Sequence, residues 1–401
     1  MSFDPAVLRK DFEQELENIL NYWLAYSVDN KDGGFYGELD NDNKTVPGAI
    51  KGSVLNARIL WSFAAGYNLT NNEAYLKIAQ RAFHYIRDYF VDLKFGGVYW
   101  SITATGQPAD TKKQIYALAF TIYGLSEYYK ATNDADALVL AKVLYLDIEK
   151  YSFDKEKGGY FEAFTRDWNA IDDLRLSEKD ANEKKTMNTH LHILEAYTTL
   201  YRVWPDEQLG RQIRALIGNF EDHIVNRSNY HLTLFFDENW ELRSDTISFG
   251  HDIEATWLLQ EAAEILHDEQ LIERIKQLAI KIAAKTAESQ NADGSIDYEF
   301  EPSQNHLITE KHWWVQAEAI IGFYNAFQIS GDERFLNNAI AAWRFTQKNI
   351  IDHNKGEWYW GVYANGSLMP GYGKAGFWKC PYHNSRACIE MIKRLGAASL
   401  S

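Results

Sequence analysis

The sequence predicts an all-α protein, an (α/α)6 barrel of twelve helices with short β-hairpins at one mouth. Three observations predict this fold. A Gly-aromatic element recurs along the chain, paired amphipathic segments lie between its copies, and alternate helices begin with similar polar residues. The 401 residues, of which 46% are hydrophobic, suffice for a large core. No composition shift, linker or low-complexity tract interrupts the chain, so residues 1–401 are predicted to form a single catalytic domain.

The recurring element resembles a hairpin, in which turn-forming Asp, Asn and Gly residues precede alternating aromatic and β-branched residues. Five copies recur, beginning at Gly33, Gly96, Gly158, Gly294 and Gly356. Their first glycines are separated by 63, 62, 136 and 62 residues. Because the long interval equals about two periods, we expect a sixth, degraded copy at Tyr230–Trp240.

Amphipathic patterns between the hairpins predict twelve helices, at 6–28, 50–68, 72–91, 111–131, 134–150, 184–203, 206–226, 249–267, 269–289, 311–330, 333–349 and 381–395. Two helices and a hairpin, repeated six times, close into a ring of inner helices covered by outer ones. A helical solenoid is the structural alternative, but solenoid repeats of about 34–47 residues rarely carry hairpins.

The predicted inner helices begin with polar or aromatic residues and continue with small apolar ones. These starts lie at Lys51, Lys112, Lys185, Ser248, Lys311 and Lys379. Inner helices pack closely around one axis, so we expect the polar starts to point into one central cavity at the hairpin mouth.

Three of these helices carry a histidine near the start, namely His192, His251 and His383. Glu195 and Glu254 follow two of them at i+3, which places the carboxylate on the same helix face. A carboxylate there can fix the imidazole tautomer and raise its basicity. The alternative is that these histidines cap helices or lie in the core. Three equivalent positions in a sixfold repeat make that alternative less favourable.

A metal site is not predicted. His190 and His192 are two residues apart, so they point about 200° apart on a helix and only one can face the cavity. The spacing of His251 and Glu254 occurs in carboxylate-bridged metal bundles, but the matching Glu-x-x-His set is absent from the sequence. A Walker loop, a dinucleotide fingerprint and a nucleophile elbow are also absent, so no cofactor is predicted.

Paired histidines suit proton transfer at carbon, because an imidazole pKa near 6.5 permits both acid and base roles. Two of them on opposite faces of one carbon would remove a proton and return it on the other side, which is epimerisation beside a carbonyl. A sugar ring must first open, and the enediolate then needs positioned donors. Arg58 is the candidate donor, assisted by Asn188 and His192, although an interior ion pair is the alternative for Arg58.

Six segments together resemble the cellobiose 2-epimerases, within the N-acylglucosamine 2-epimerase superfamily. They contain Arg58, Tyr116, Met187-Asn188 with His192, Ser248 to Trp257, Trp313 to Ala319, and Trp378 to Asn384. The resemblance extends from about residue 10 to 395. It implies an (α/α)6 barrel and reversible epimerisation of the reducing glucose in β-1,4-linked disaccharides such as cellobiose and lactose, without metal or nucleotide.

The resemblance also implies roles for individual residues. His251 and His383 resemble the acid/base pair, and His192 resembles the third histidine, which supports the enediolate and ring opening. The residues that resemble substrate contacts are Arg58, Asn188 and Glu254 in the polar shell, Trp314 and Trp378 as stacking tryptophans, and Tyr116 and Asp180 at hydroxyls. A core position is the alternative for either tryptophan alone. The 14% aromatic content fits both a sugar site and a large core.

Two related activities remain alternatives, a D-mannose/D-glucose 2-epimerase on free monosaccharides and a mannose (aldose–ketose) isomerase. They differ mainly in loops expected around 151–180, 230–248 and 363–378. A glycoside hydrolase needs two carboxylates flanking a bond, and nothing in the sequence pairs Asp180, Glu254 or Glu318 in that way. A non-catalytic sugar-binding module has no reason to repeat His-x-x-Glu.

A net charge of −15 disfavours binding to nucleic acid or anionic membranes. The N-terminal residues lack a signal-peptide pattern, no segment is apolar enough to span a membrane, and only two cysteines occur, Cys380 and Cys388. We therefore expect a cytoplasmic enzyme with a small sugar substrate, present as a monomer or weak homo-oligomer.

Overall fold

A computed structural model describes residues 4–397 and contains twelve α-helices there, as the sequence predicts. Numbered in chain order, they are α1 Pro5–Tyr26, α2 Ser53–Thr70, α3 Glu73–Tyr85, α4 Ile115–Thr132, α5 Ala135–Tyr151, α6 Met187–Val203, α7 Glu207–Asn219, α8 Phe249–Glu264, α9 Glu269–Glu288, α10 Trp313–Ser330, α11 Glu333–Asn349 and α12 Tyr382–Ala397. Helices α3 and α7 each continue into a π-helical turn, at Ile86–Phe90 and Phe220–Ile224. A 3-10 turn spans Pro302–Gln304.

The even-numbered helices form a closed inner ring. Each contacts the next, and α12 contacts α2 to complete the circle. Helix α4 is buried continuously from Ile115 to Tyr128, as expected for a helix surrounded by protein on all sides. The odd-numbered helices cover the ring and bury one face each, and α1 packs on α12. The predicted (α/α)6 barrel is therefore confirmed.

Short antiparallel strands join successive repeats at the mouth of the barrel. They are β1 Lys51–Gly52, β2 Ser101–Ile102, β3 Pro108–Asp110, β4 Lys113–Gln114, β5 Ala163–Phe164, β6 Lys185–Thr186, β7 Phe235–Phe236, β8 Ile247–Ser248, β9 Glu299–Glu301, β10 His306–Ile308, β11 Lys311–His312 and β12 Gly361–Val362. Five of them directly precede an inner helix and pair with a strand after the next hairpin, as Lys51 does with Ile102. A bridge between Leu39 and Ala375 links the first and last repeats.

Six hairpins follow the outer helices, each framed by one antiparallel bridge. The bridges are Val28–Phe35, Val91–Val98, Phe153–Tyr160, Val225–Leu232, Gln290–Ile296 and Ile351–Trp358. In the fourth hairpin Tyr230 lies five residues after the first bridge residue, as Gly96 does in the second, so the degraded copy expected at Tyr230–Trp240 begins in register. Tyr230 has a φ of 62° there, where Gly96 in the second hairpin has 78°. Tyrosine is rare in this left-handed conformation, so this copy lacks the glycine that marks the others.

Most of the lysines that begin the inner segments serve the hairpins rather than the cavity. Lys51 contacts Asp29 at 2.9 Å and Lys185 contacts Asp154 at 2.8 Å, all with buried side chains. The same arrangement recurs at Lys113–Asp92, Lys311–Asp297 and Lys379–Glu357. The expectation that these lysines point into the cavity is wrong, because burial without an anionic partner would be costly for them.

No helix between residues 4 and 397 combines the length and apolar character needed to cross a membrane.

Candidate active site

A cavity of about 550 Å³ opens at the mouth where the inner helices begin. All ten residues singled out in the sequence line it, namely Arg58, Tyr116, Asp180, Asn188, His192, His251, Glu254, Trp314, Trp378 and His383. Nine of them come from the inner helices or the segments just before them, whereas Asp180 lies on a loop. The sixfold repeat thus brings residues up to 325 positions apart in sequence to one cavity.

Each of the three histidines uses Nδ1 for a protein partner. His192 Nδ1 lies 2.9 Å from Glu195 Oε2, and His383 Nδ1 lies 2.7 Å from Glu318 Oε1. A carboxylate only accepts, so Nδ1 carries the proton in both pairs. Within residues 4–397, Nε2 of these rings has no hydrogen-bond partner. Nε2 is therefore the nitrogen available to a molecule in the cavity.

His190 faces the other way, as the i, i+2 spacing predicts. Its Nε2 accepts a hydrogen bond of 2.9 Å from the backbone N–H of Tyr160, and its Nδ1 lies 2.6 Å from the carbonyl oxygen of Thr186. His190 thus fastens the third hairpin to the start of α6, and only His192 reaches the cavity.

The third histidine, His251, is supported by a serine. Its Nδ1 lies 2.7 Å from Ser248 Oγ, whereas the sequence predicted a pairing with Glu254. That prediction is wrong because Glu254 Oε1 instead accepts a hydrogen bond of 2.5 Å from Arg386. Burial, together with the nearby His192, lowers the pKa of His251 to about 3. His251 is therefore neutral at pH 7.

His383 lies beside positive charge as well as a carboxylate. Burial lowers its pKa well below the usual range, and Arg58 and Arg386 contribute in the same direction. The rings of His251 and His383 both contact Trp314, with centroid distances of 4.7 and 5.6 Å. The indole thus brings the two imidazoles to one part of the cavity.

Arg386 connects the carboxylates behind the histidines. Its guanidinium contacts Glu195, and Nη2 donates to Glu254 Oε1 at 2.5 Å and to Glu318 Oε1 at 2.6 Å. Burial, together with the charge of Glu318, raises the pKa of Glu254 to about 7. Burial also opposes ionisation of Glu195, but Arg386 and the hydrogen bond from His192 outweigh it and lower its pKa to about 2.

Arg386 is a site residue that was not predicted from the sequence, although it follows His383 at i+3 on the same face of α12. Glu254, Glu318 and His383 also place possible metal-ligand atoms within 4.8 Å of one another. Arg386 Nη2 already binds one oxygen of each carboxylate, and His383 Nδ1 binds the same Glu318 oxygen. This donor set fits a hydrogen-bonded ion-pair network better than a metal site.

Arg58 presents a positive charge to the cavity. Its Nη2 donates to the Tyr116 hydroxyl at 2.8 Å, and its guanidinium lies over the rings of Phe120 and Tyr382, at 4.1 and 4.8 Å from their centroids. Among the described residues Arg58 forms no ion pair with a carboxylate, in contrast to the interior ion pair considered from the sequence. Its charge therefore remains available to an anionic oxygen.

Unpaired polar atoms also surround the cavity. Within residues 4–397, Asn188 Oδ1 and Glu254 Oε2 are buried without a hydrogen-bond partner. Asp180 lies at the cavity edge, where its carboxylate accepts from the backbone N–H of Ser177 at 2.9 Å. Gln114 fastens this loop by donating to the carbonyl oxygen of Arg175 at 2.9 Å. These groups are positioned to bind hydroxyls.

Aromatic rings form the outer wall of the cavity. Trp360 stacks on Tyr372 with centroids 4.4 Å apart, and it also contacts Trp313 at 4.5 Å. Trp378 lies between Trp100 and Tyr116, at 5.8 and 6.0 Å. The sequence analysis did not select Trp360 or Tyr372, although Trp360 ends the last Gly-aromatic element and could have been found there.

Comparisons with known proteins agree with one another. The model of the N-acylglucosamine 2-epimerase (GlcNAc 2-epimerase) family matches residues 34–387. The chain is 51% identical to the cellobiose 2-epimerase of Bacteroides fragilis over 96% of its own length and 99% of that protein. It is 39% identical to the enzyme of the same name from Ruminococcus albus, over 96% and 98% of the two chains. The solved cellobiose 2-epimerase from Bacillus thermoamylovorans has a TM-score of 0.93 and 40% identity, covering 97% of this chain and 100% of that one.

Proposed function

The chain belongs to the N-acylglucosamine 2-epimerase family and is a sugar 2-epimerase, and we propose that it acts on the reducing-end sugar of β-1,4-linked disaccharides such as cellobiose and lactose. It would interconvert glucose and mannose at that position by proton transfer at C2. The observation that carries this proposal is the convergence of His251 and His383 on one cavity with an extended aromatic wall.

The proposed reaction begins with ring opening, which exposes the C1 aldehyde. Nε2 of one histidine then removes the C2 proton, and the C–H electron pair forms the C1–C2 double bond of a cis-enediolate while negative charge moves to O1. Nε2 of the other histidine, which takes up a proton from solvent beside the negatively charged enediolate, returns it to the opposite face of C2 as the O1 charge re-forms the carbonyl, and the first histidine then releases its proton to solvent. One proton leaves and one arrives, so the overall reaction has no net redox change and consumes no co-reactant.

Arg58 would stabilise the charge on O1, since its guanidinium has no competing carboxylate among the described residues. His192 would assist at ring opening and at the enediolate, with Glu195 holding its Nδ1–H. The remaining cavity groups would bind the sugar. In this scheme Trp314 and Trp378 stack on its ring, and hydroxyls contact Tyr116, Asp180, Asn188 and Glu254.

The outer part of the cavity supports a disaccharide as the substrate rather than a monosaccharide. Beyond the histidines, the lining continues to Trp360, Tyr372 and the loop at residues 174–181. Stacked aromatic faces suit the C–H face of a second sugar ring. The reducing sugar would occupy the region of the histidines while its neighbour packs against this wall.

Product analysis by NMR tests the proposal, with cellobiose, lactose, glucose and mannose incubated separately in deuterated water. We expect mannose at the reducing end of cellobiose and lactose products, with deuterium at C2. Turnover of only the free monosaccharides would contradict the disaccharide assignment. A ketose as main product would indicate an isomerase, and released glucose a hydrolase.

A further inference from the structure

Ser248 occupies an unusual position for a serine at the start of a helix. It is the N-cap residue of α8, where a serine side chain ordinarily accepts from a backbone N–H in the first turn. Its side chain makes no such bond, and Oγ instead lies 2.7 Å from His251 Nδ1. Thr186, the N-cap residue of α6, caps its helix in the ordinary way by accepting from the N–H of Thr189 at 3.1 Å.

We propose that Ser248 is a positioning residue that holds the His251 ring through Nδ1, so that Nε2 faces C2 of the sugar, and that this neutral support makes His251 and His383 unequal partners. The proposal rests on the proposed use of these two histidines. Ser248 is fully buried and does not line the cavity, so it would act through His251 rather than on the sugar.

His251 and His383 are unequal because different groups bond to their Nδ1 atoms. A carboxylate accepts from His383 Nδ1 and stabilises the imidazolium formed when that ring takes a proton. A serine hydroxyl at His251 supplies a hydrogen bond without negative charge, so the imidazolium there gains less. Either ring can give or take the C2 proton, but loss of Ser248 would impair only the steps at His251.

The test is Ser248→Ala, in which epimerisation and the exchange of the C2 hydrogen for solvent deuterium are followed from each epimer separately. The substrate is the one that wild type converts, so failure on disaccharides would overturn only the disaccharide assignment. From the epimer whose C2 hydrogen faces His383, we expect exchange to continue while epimerisation falls. From the other epimer, the rates of exchange and of epimerisation should both fall, and exchange should fall more than epimerisation.

The two exchange-to-epimerisation ratios should therefore move in opposite directions, each by about two- to tenfold, which matches the loss of one hydrogen bond. Ser248→Thr, which keeps Oγ, should restore them. A parallel fall of all four rates, or no change, would overturn the proposal. Ser126→Ala is the matched control, because this buried serine lies on inner helix α4 and, among residues 4–397, its hydroxyl bonds only to the carbonyl oxygen of Ile122.

A readout independent of turnover comes from NMR of the imidazole nitrogens in the free enzyme. Wild type should show His251 Nδ1 hydrogen-bonded, and Ser248→Ala should shift that signal and leave those of His192 and His383 unchanged. If the alanine variant does not fold, Ser248→Cys gives the same comparison, since a thiol hydrogen-bonds weakly. An unchanged His251 signal in the folded variant would contradict the proposal.

Discussion

Two sides of the cavity support their histidines with different hydrogen-bond partners. On one side His192 and His383 bond to Glu195 and Glu318, and Arg386 joins these carboxylates. We call this the charged side. On the other, the neutral side, the only described partners of His251 are Ser248 at Nδ1 and Trp314 against its ring.

The difference indicates that holding the histidines and balancing buried charge are separate tasks in this cavity. Carboxylates on the charged side can stabilise an imidazolium, but three of them in a buried cluster require a cation, which Arg386 supplies. The neutral side needs no such compensation. We therefore expect substitutions on the charged side to affect both stability and catalysis, and those on the neutral side mainly catalysis.

The largest expected effect is on catalysis, from His383→Asn and His251→Asn. Each variant should lose about 10²–10⁴-fold in kcat for epimerisation, because each removes one of the two proposed acid/base groups. NMR of the products gives the rates, and circular dichroism shows whether the fold is intact. His353→Asn, an exposed residue outside the cavity, serves as control. Full activity in either histidine variant would refute its assigned role.

Arg386→Met tests the charge balance of the charged side. It leaves Glu195, Glu254 and Glu318 without their shared cation, and breaking a buried ion pair costs about 3–5 kcal/mol. Urea unfolding at neutral pH measures the free energy of unfolding. Arg334→Met, whose side chain is 86% exposed, should change it by less than about 0.5 kcal/mol. Equal stability of the two variants would show that Arg386 does not balance the cluster.

Acidification should destabilise the protein through its buried neutral histidines. Burial lowers the pKa of His251 to about 3 and of His190 to about 4, from about 6.5 when unfolded. The unfolded chain therefore binds more protons as pH falls below about 6.5, and stability decreases until the folded pKa values are reached.

For His190 the loss amounts to about 3 kcal/mol, since each pKa unit corresponds to about 1.4 kcal/mol. Chemical denaturation at several pH values between about 7 and 4 gives the slope of stability against pH. His251→Asn and His190→Asn should each flatten it relative to wild type. A slope that neither substitution changes would show that these rings are not held neutral by burial.

The smallest effect is expected from Trp314→Phe, which alters the ring shared by both sides. Phenylalanine keeps an aromatic face, so kcat/KM should fall by about tenfold or less, mostly through KM. Steady-state kinetics on cellobiose measures the change. Trp204→Phe is a suitable control, because Trp204 packs on Tyr145 outside the cavity. A large fall in kcat with unchanged KM would mean that Trp314 acts on the histidines rather than on the sugar.

The fold could be predicted from the sequence because the same pattern of residues recurs along the chain. Twelve amphipathic segments and a hairpin element specify six equivalent units, and equivalent units close into a ring. Confirmed boundaries such as those of α11 at Glu333–Asn349 follow from clear start signals, with Asp332 capping the helix. The fourth copy of the element was found by its spacing alone, because Tyr230 holds the conformation that glycine holds in the other copies.

The cavity lining was also accessible, since the starts of inner helices must converge on one axis. The hydrogen-bond partners of the histidines could not be predicted from the sequence. Both Ser248 and Glu254 are three residues from His251, so helical spacing alone does not decide between them. The choice depends on Arg386, which lies 132 positions beyond Glu254 and draws its carboxylate away. Such long-range charge contacts have no local signature in a single sequence.

The closure of the ring by α12 has a consequence for the order of folding during synthesis. Helix Tyr382–Ala397 supplies His383 and Arg386 and fills the gap between α10 and α2. A nascent chain that has emerged only as far as α11 lacks His383, one of the two proposed acid/base residues, and leaves Glu195, Glu254 and Glu318 without their shared cation. Assembly of the functional enzyme therefore awaits the emergence of α12 from the ribosome.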